Sequence, residues 1–174
     1  MAVEIRKVET KRDLRDFIEF HYDLYKDSPY DVPSLYSDEV NTLSKDKNAA
    51  FDFCEAEYYL AYKDNKLVGR VAAIINHRAN ERWKSHDVRF GWIDFIDDIE
   101  VSRALLNAVE SYGKRKGMTD VVGPLGFTDM DCEGMLTWGY DRLGTMATLY
   151  NYEYYPRHME QLGGWKKDID YVEY

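Results

Sequence analysis

The sequence predicts an α/β (α+β) fold in which helices pack on a mixed sheet, and three observations predict it. Residues 88–127 read as strand, helix, strand with no room for a hairpin. That order requires a parallel crossover, right-handed by a strong rule of chirality. Residues 57–62 and 67–75 are two strand-like runs separated by Lys63-Asp64-Asn65-Lys66, whose Asp-Asn centre tolerates the left-handed backbone of a tight hairpin. Behind a Thr10–Asp13 pair spaced as a capping box, Leu14, Phe17, Ile18, His21, Leu24 and Tyr25 recur at helical spacing.

In chain order, residues 3–8 alternate and read as a first strand, and the amphipathic helix follows until Ser28-Pro29 ends it. His21 lies on that helix's apolar face, where a half-buried structural histidine is the expected reading. Residues 28–56 form a long polar stretch, punctuated by Pro29 and Pro33, with a short helix near the start of SDEVNTLSKDKNAAF. Gly69, inside the second hairpin strand, predicts a bulge or a close backbone approach. The stretch NHRANERWKSHD is read as a polar connection into the strand at Val88. In the crossover helix Val101, Leu105, Ala108, Val109 and Tyr112 form the apolar stripe, and Gly117 stands just past its end. Residues 128–134 read as a turn, 135–143 as a short helix, 145–150 as extended, 155–162 as a helix stopped by Gly163-Gly164, and 165–174 as a last strand.

The chain has 174 residues, enough for one domain with a substantial core, and no internal repeat or linker divides residues 1–174. Fifteen Tyr, seven Phe and four Trp require large buried rings, which excludes an intrinsically disordered chain. A formal charge of −9 repels phosphate backbones and anionic head groups, so neither nucleic acid nor membrane is the expected partner. Two cysteines far apart, Cys54 and Cys132, supply no disulfide framework or thiolate metal spacing. With no signal-like or membrane-spanning run, the expected location is cytoplasmic.

The element order, together with HMEQLGGWKKDIDYVEY, NHRANERW, FGWIDFIDD and GPLGFTDMD, resembles the GNAT superfamily of acyl-CoA-dependent N-acyltransferases, in a poorly characterised bacterial branch. The resemblance implies a mostly antiparallel central sheet with a splayed parallel pair and helices on both faces. It also implies acetyl-CoA or another acyl-CoA as co-substrate, a small-molecule amine acceptor and no metal. The donor's arm would lie in the split between residues 90–97 and 121–126, with its pantetheine facing the backbone of Phe95 and Ile96. Its pyrophosphate would meet the helix start from Asp97 to Val101.

Three departures accompany the resemblance. The matching pyrophosphate stretch, FIDDIEVSRALL, has no glycine, and Asp97, Asp98 and Glu100 crowd a helix start whose free amides would otherwise attract an anion. That implies a branch without the standard pyrophosphate loop. Counting four residues back from Gly163 reaches Met159 rather than the family's Tyr, so Tyr155 or Tyr154 would act as the acid only with the helix placed differently. The family also has one more strand, so the chain is expected either to be the N-terminal part of a longer protein, lacking a C-terminal segment, or to be completed by a partner in a homodimer.

Among candidate residues, Asp94 sits mid-strand in GWIDFID. Burial would raise its pKa and suit it to deprotonate an amine; the other reading pairs it with Arg89 or Arg70. Tyr155 is the candidate acid. Asp129 and Asp131 lie in a loop at the rim of the expected site, where they would hold a cationic amine, although a polar capping turn accounts for the same residues. The calcium-loop spacing of that segment fails at Tyr140, where a carboxylate is required. Asn151 belongs to the run Tyr150-Asn151-Tyr152-Glu153-Tyr154-Tyr155, which alternates and would line a pocket on one side. Two functions fit: an N-acyltransferase moving an acyl group from a CoA-type donor to an amine, or a catalytically inactive binding or regulatory module for a small amino or cationic ligand.

Overall fold

The computed structural model describes residues 2–172. Five strands, β1 (Glu4–Lys7), β2 (Cys54–Lys63), β3 (Lys66–Asn76), β4 (Asp87–Phe95) and β5 (Asp120–Val122), form one sheet in the order β1-β2-β3-β4-β5. The first three pairings are antiparallel and β4–β5 is parallel. Helix α1 (Lys11–Tyr25) starts in the expected capping box: the Thr10 hydroxyl accepts from the Asp13 N–H, and the Asp13 carboxylate accepts from the Thr10 N–H. Together with α2 (Tyr36–Leu43), it covers one face of the sheet through Phe17, Ile18 and Leu43. Helix α4 (Ile99–Arg115) covers the other face through Val101, Leu105, Val109 and Tyr112. The mixed sheet, the parallel pair and the helices on both faces agree with the sequence.

The β2–β3 hairpin turns on Asp64 and Asn65, both left-handed at φ 54° and 61°. Gly69 fulfils its expectation: a bulge adjoins it at Val68 in the same strand, and an added Cβ would lie 2.8 Å from Leu105 Cδ1. A second irregularity occurs in β4. Gly91 pairs with Ala72 and Asp94 with Arg70, so β4 carries one residue more than β3 across that span, and Trp92 takes a left-handed φ of 44°. Phe90, Ile93 and Phe95 therefore share the α4 layer, while Trp92 packs in the α1 layer.

Strands β4 and β5 pair only from Asp87–Asp120 to Arg89–Val122, and beyond that the chains part. A cis Gly123–Pro124 bond turns the chain, and the Leu125 N–H donates to the Phe90 carbonyl at 2.8 Å. Gly91 is required here, because a Cβ would stand 2.5 Å from the Leu125 carbonyl oxygen. Gly91→Ala is expected to lower stability by about 1–3 kcal/mol through overpacking against backbone, read as a lower urea midpoint at unchanged m.

Four sequence expectations are corrected. NHRANERW is helix α3 (His77–Trp83), because the Asn76 side chain accepts from the Ala79 N–H at 2.9 Å and caps it. Residues 135–143 form turns instead of a helix. The Asn151 side chain takes both the N–H and the carbonyl of Leu136, at 2.6 and 3.1 Å, and Gly134 and Gly139 have φ of 90° and 88°. Residues 145–150 hold a turn closed by Thr148 N–H to the Thr145 carbonyl, 3.2 Å. The last strand is absent from residues 165–172. Ile169 and Tyr171, which alternation would place on one side of it, remain exposed; residues 173 and 174 of that expected strand lie outside the described residues. The remaining helix, α5 (Tyr154–Leu162), packs over the end of β4, with Tyr155 stacked on Phe95 at 4.2 Å.

Candidate functional site

The extra residue in β4 delivers Asp94 to the α1 side of the sheet, beside Arg70 of β3. Both side chains are buried, and Arg70 holds Asp94 Oδ2 from Nε at 2.8 Å and from a terminal nitrogen at 2.7 Å. The third guanidinium nitrogen donates to the Phe17 carbonyl at 3.0 Å. His21 Nδ1 lies 3.0 Å from the same Oδ2, and His21 Nε2 lies 3.5 Å from Asp31. On the other side of the carboxylate, the Tyr155 hydroxyl is 3.0 Å from Oδ1, the Tyr25 hydroxyl 3.2 Å, and the two hydroxyls 2.7 Å from each other.

These neighbours reverse the pKa shift expected for Asp94. Burial pushes its carboxyl up, but the charges of Arg70 and then His21 outweigh burial and hold it well below the usual carboxylate range. The reading that pairs Asp94 with Arg70 is the one the geometry supports; Arg89 instead donates to the Gly126 carbonyl at 3.1 Å. For His21, burial works downward, yet Asp94's charge and the hydrogen bonds of Asp31 and Asp94 raise it to about 9. It is an imidazolium at neutral pH, donating to Asp94 and ion-paired with Asp31. Burial raises the Tyr25 and Tyr155 hydroxyls well above their ordinary value, so both stay protonated. Asp94 is an anchor rather than a free base, and the protons at hand belong to His21, Tyr25 and Tyr155.

Over this cluster lies a cavity of about 290 Å3. Trp92, Ile93 and Asp94 form its floor; Ile18, His21 and Tyr22 of α1, Asp38 and Glu39 of α2, and residues of the 124–151 cover form its walls. Its carboxylates are Asp31, Asp38, Glu39, Asp94 and Asp131, against Arg70 and His21. Exposed Leu35, Met130 and Met146 stand at its edge. Four candidates from the sequence, Asp94, Tyr155, Asp131 and Asn151, come together here, and Asp129 does not: it is exposed and outside the lining. Asp131 serves the capping turn, accepting from the Thr128 N–H at 3.0 Å, with its pKa raised by burial. Asn151 is fully engaged with the backbone of Leu136 and Tyr152. His21, Tyr25 and Asp31 were not singled out as site residues. The available signal was a histidine and an arginine, His21 and Arg70, each interrupting an apolar pattern.

The donor groove departs further from expectation. The Phe95 and Ile96 backbone, expected to face pantetheine, is used internally. The Phe95 N–H donates to the Tyr155 hydroxyl at 3.2 Å, the Phe95 carbonyl accepts from Tyr154 at 2.6 Å, and the Ile96 N–H donates to the Val68 carbonyl at 3.1 Å. At the start of α4, Asp98 accepts from the Glu100 N–H at 3.0 Å and from Lys63 at 2.5 Å. The Val101 N–H is spent on the Asp98 carbonyl at 3.0 Å. Asp97 meets His158 Nε2 at 2.9 Å, and His158 Nδ1 meets the Ser102 hydroxyl at 2.9 Å, which ties α5 to the start of α4. A helix start attracts a diphosphate through unsatisfied amides, and carboxylates and internal acceptors occupy this one. The residues present do not fit a diphosphate at α4 or a pantetheine arm along β4.

The fold is that of the GNAT acyltransferases. A crystal structure of a predicted acetyltransferase from Clostridium acetobutylicum with acetyl-CoA superposes at a TM-score of 0.57 and 9% identity, over 99% of this chain and 95% of that one. By sequence the chain is homologous to Protein YghO of Escherichia coli (strain K12), 34% identical over 166 residues covering 95% of this chain and 42% of that protein. It is also homologous to the bacterial ceramide synthase of Caulobacter vibrioides (strain NA1000 / CB15N), 30% identical over 135 residues, 77% of this chain and 35% of that protein. The chain thus spans less than half the length of these two relatives. No protein-family model matches it. Among the described residues no helix is long and apolar enough to cross a membrane, and no group of three or more His, Cys, Asp or Glu is arranged to hold a metal ion.

Proposed function

We propose that the chain takes part in N-acyl transfer from a CoA-type donor to an amine and contributes the acceptor's pocket. The observation that carries this reading is the acidic cavity of about 290 Å3 against the Asp94 cluster, edged by Leu35, Met130 and Met146. An ammonium group is drawn to carboxylates in a partly desolvated site, and an apolar tail is accommodated by the edge. The homology supports the same class: ceramide is a long-chain amino alcohol acylated on nitrogen, and one relative is named for making it. In this reading Asp31 and Asp131 receive the ammonium, and Asp94 fixes Arg70, His21 and the two tyrosine hydroxyls around it. Tyr155 and His21 are the groups able to give a proton to a departing thiolate. Asp131, raised by burial, is the carboxylate able to take the proton the ammonium must lose before its nitrogen attacks. The donor's diphosphate is held away from the occupied start of α4.

The test is thiol release from an acyl-CoA in the presence of a long-chain amino alcohol. Asp31→Asn is expected to raise KM for the amine about tenfold to a hundredfold, the usual worth of a hydrogen-bonded charge, with a smaller effect on kcat. An unchanged KM removes Asp31 from the acceptor site. One observation favours a second reading, a catalytically inactive module that binds an amino or cationic ligand: the donor groove is filled by Tyr154, Tyr155 and His158. If the amine raises the melting temperature while millimolar acyl-CoA neither does so nor reacts, the module reading stands and the transferase reading falls.

A further inference from the structure

On the outer side of the 150–155 run lies a second recess, of about 400 Å3, lined by Tyr30, Tyr140, Tyr150, Tyr152 and Tyr154 together with Asp141, Glu153 and Arg157. It shares only Tyr150 with the acidic cavity. The run does not alternate strictly: Asn151 and Tyr155 are buried and Tyr150, Tyr152 and Tyr154 half-buried, but Glu153, of the same parity as Asn151, is exposed and lines the recess. The rings form adjoining walls. Tyr150 and Tyr152 stand near-perpendicular at 76° with centroids 6.0 Å apart, Tyr152 stacks on Tyr154 at 5.6 Å, and Tyr30 lies 6.5 Å from Tyr150.

Two features decide what such walls recognise. The hydroxyls of four of the five rings are already used on backbone carbonyls: Tyr140 on Leu136, Tyr150 on Tyr140, Tyr152 on Leu24 and Tyr154 on Phe95. Tyr152 is packed between Tyr25 and Tyr154, and Tyr154 against Tyr155. What remains for a ligand is chiefly the ring surface of Tyr30, Tyr140 and Tyr150, whose quadrupole presents a negative face to a cation. Asp141 and Glu153, meanwhile, form no ion pair within 4 Å among the described residues. Their charge is therefore available at the recess, opposed there by Arg157 alone.

We propose that this tyrosine-walled recess is a binding site for a compact organic cation of the methylated-ammonium type, held by ring faces and by the carboxylates of Asp141 and Glu153. The site is independent of the acyl-transfer reading, because none of its carboxylates lines the acidic cavity. Its charge balance makes Arg157 an opposing group.

The probe is choline, titrated beside 3,3-dimethylbutan-1-ol, which has the same shape without the charge, with tyrosine ring NMR shifts or fluorescence as readout. Choline is expected to saturate, with the neutral analogue about threefold weaker or more, as a solvent-exposed cation–π contact implies. Tyr140→Leu should weaken choline about threefold, and Arg157→Gln, a surface change that leaves the rings in place, should tighten it. Equal binding of the two probes, no saturable choline signal, or looser binding in Arg157→Gln would each overturn the proposal. Asp31→Asn, placed in the other cavity, should leave choline affinity unchanged, so the two sites succeed or fail separately.

Discussion

Asp94→Ala is expected to cost about 3–5 kcal/mol of folding stability, because it leaves the Arg70 guanidinium buried without its counter-charge. Both side chains are almost completely enclosed, at 5% and 7% exposure. The carboxylate also accepts from the Tyr155 hydroxyl and engages His21, so one deletion strands several polar groups at once. Chemical denaturation measures the loss, and a value under about 1 kcal/mol would mean that water replaces the carboxylate and the cluster is open to solvent. Replacing both partners together, as Arg70→Met with Asp94→Leu, should recover most of the loss, since two apolar groups of similar size remove the desolvation cost along with the attraction. Acceptor binding should not return with it, which separates the structural role of the pair from its role at the cavity.

A stability maximum on the acidic side of neutrality is expected next. His21 is raised in the folded state from 6.5 to about 9, so its contribution is fully present below pH 6.5 and is lost as pH rises through 9. For a histidine this far enclosed the linkage is worth about 3 kcal/mol. Asp94 runs the opposite way. Its folded pKa lies below the ordinary 3.8, so its contribution is present above 3.8 and disappears as pH falls through the folded value. Between about pH 4 and 6.5 both are intact. Denaturant midpoints across pH 3–10 measure the curve, and His21→Gln should flatten its alkaline limb while only reducing the acid limb, which Arg70 still supports. An alkaline limb that survives His21→Gln would assign the linkage to another group.

Local chemistry carried most of the fold into the sequence. The capping box at Thr10, the Asp64-Asn65 turn and the crossover at residues 88–122 each depend on residues close together in the chain, and each is where the pattern put it. The errors cluster where a distant side chain intervenes. Asn151 claims the backbone of Leu136 from fifteen residues away and replaces a helix by turns, which no window around residue 136 reveals. The site divides in the same way. Asp94 and Tyr155 were legible as polar groups in apolar or aromatic runs, and the crowding of carboxylates at the start of α4 correctly anticipated that its amides are occupied. Which partner Asp94 takes was not legible. That depends on the face it occupies, and the β4 irregularity that decides the face has no marker stronger than Gly91.

The surplus residue at Gly91–Trp92 also limits how this site can change by mutation. Substitution can alter the charge at position 94, but only a change in chain length can move it to the other layer. Inserting one residue between Trp92 and Ile93 would exchange the two faces for the remainder of the strand, bringing Ile93 opposite Arg70 and sending the carboxylate among Val101 and Leu105. Removing Trp92 would instead restore plain alternation with Asp94 still opposite Arg70. Chain length across this short span is therefore part of the site's specification, as binding as the identity of any side chain in it.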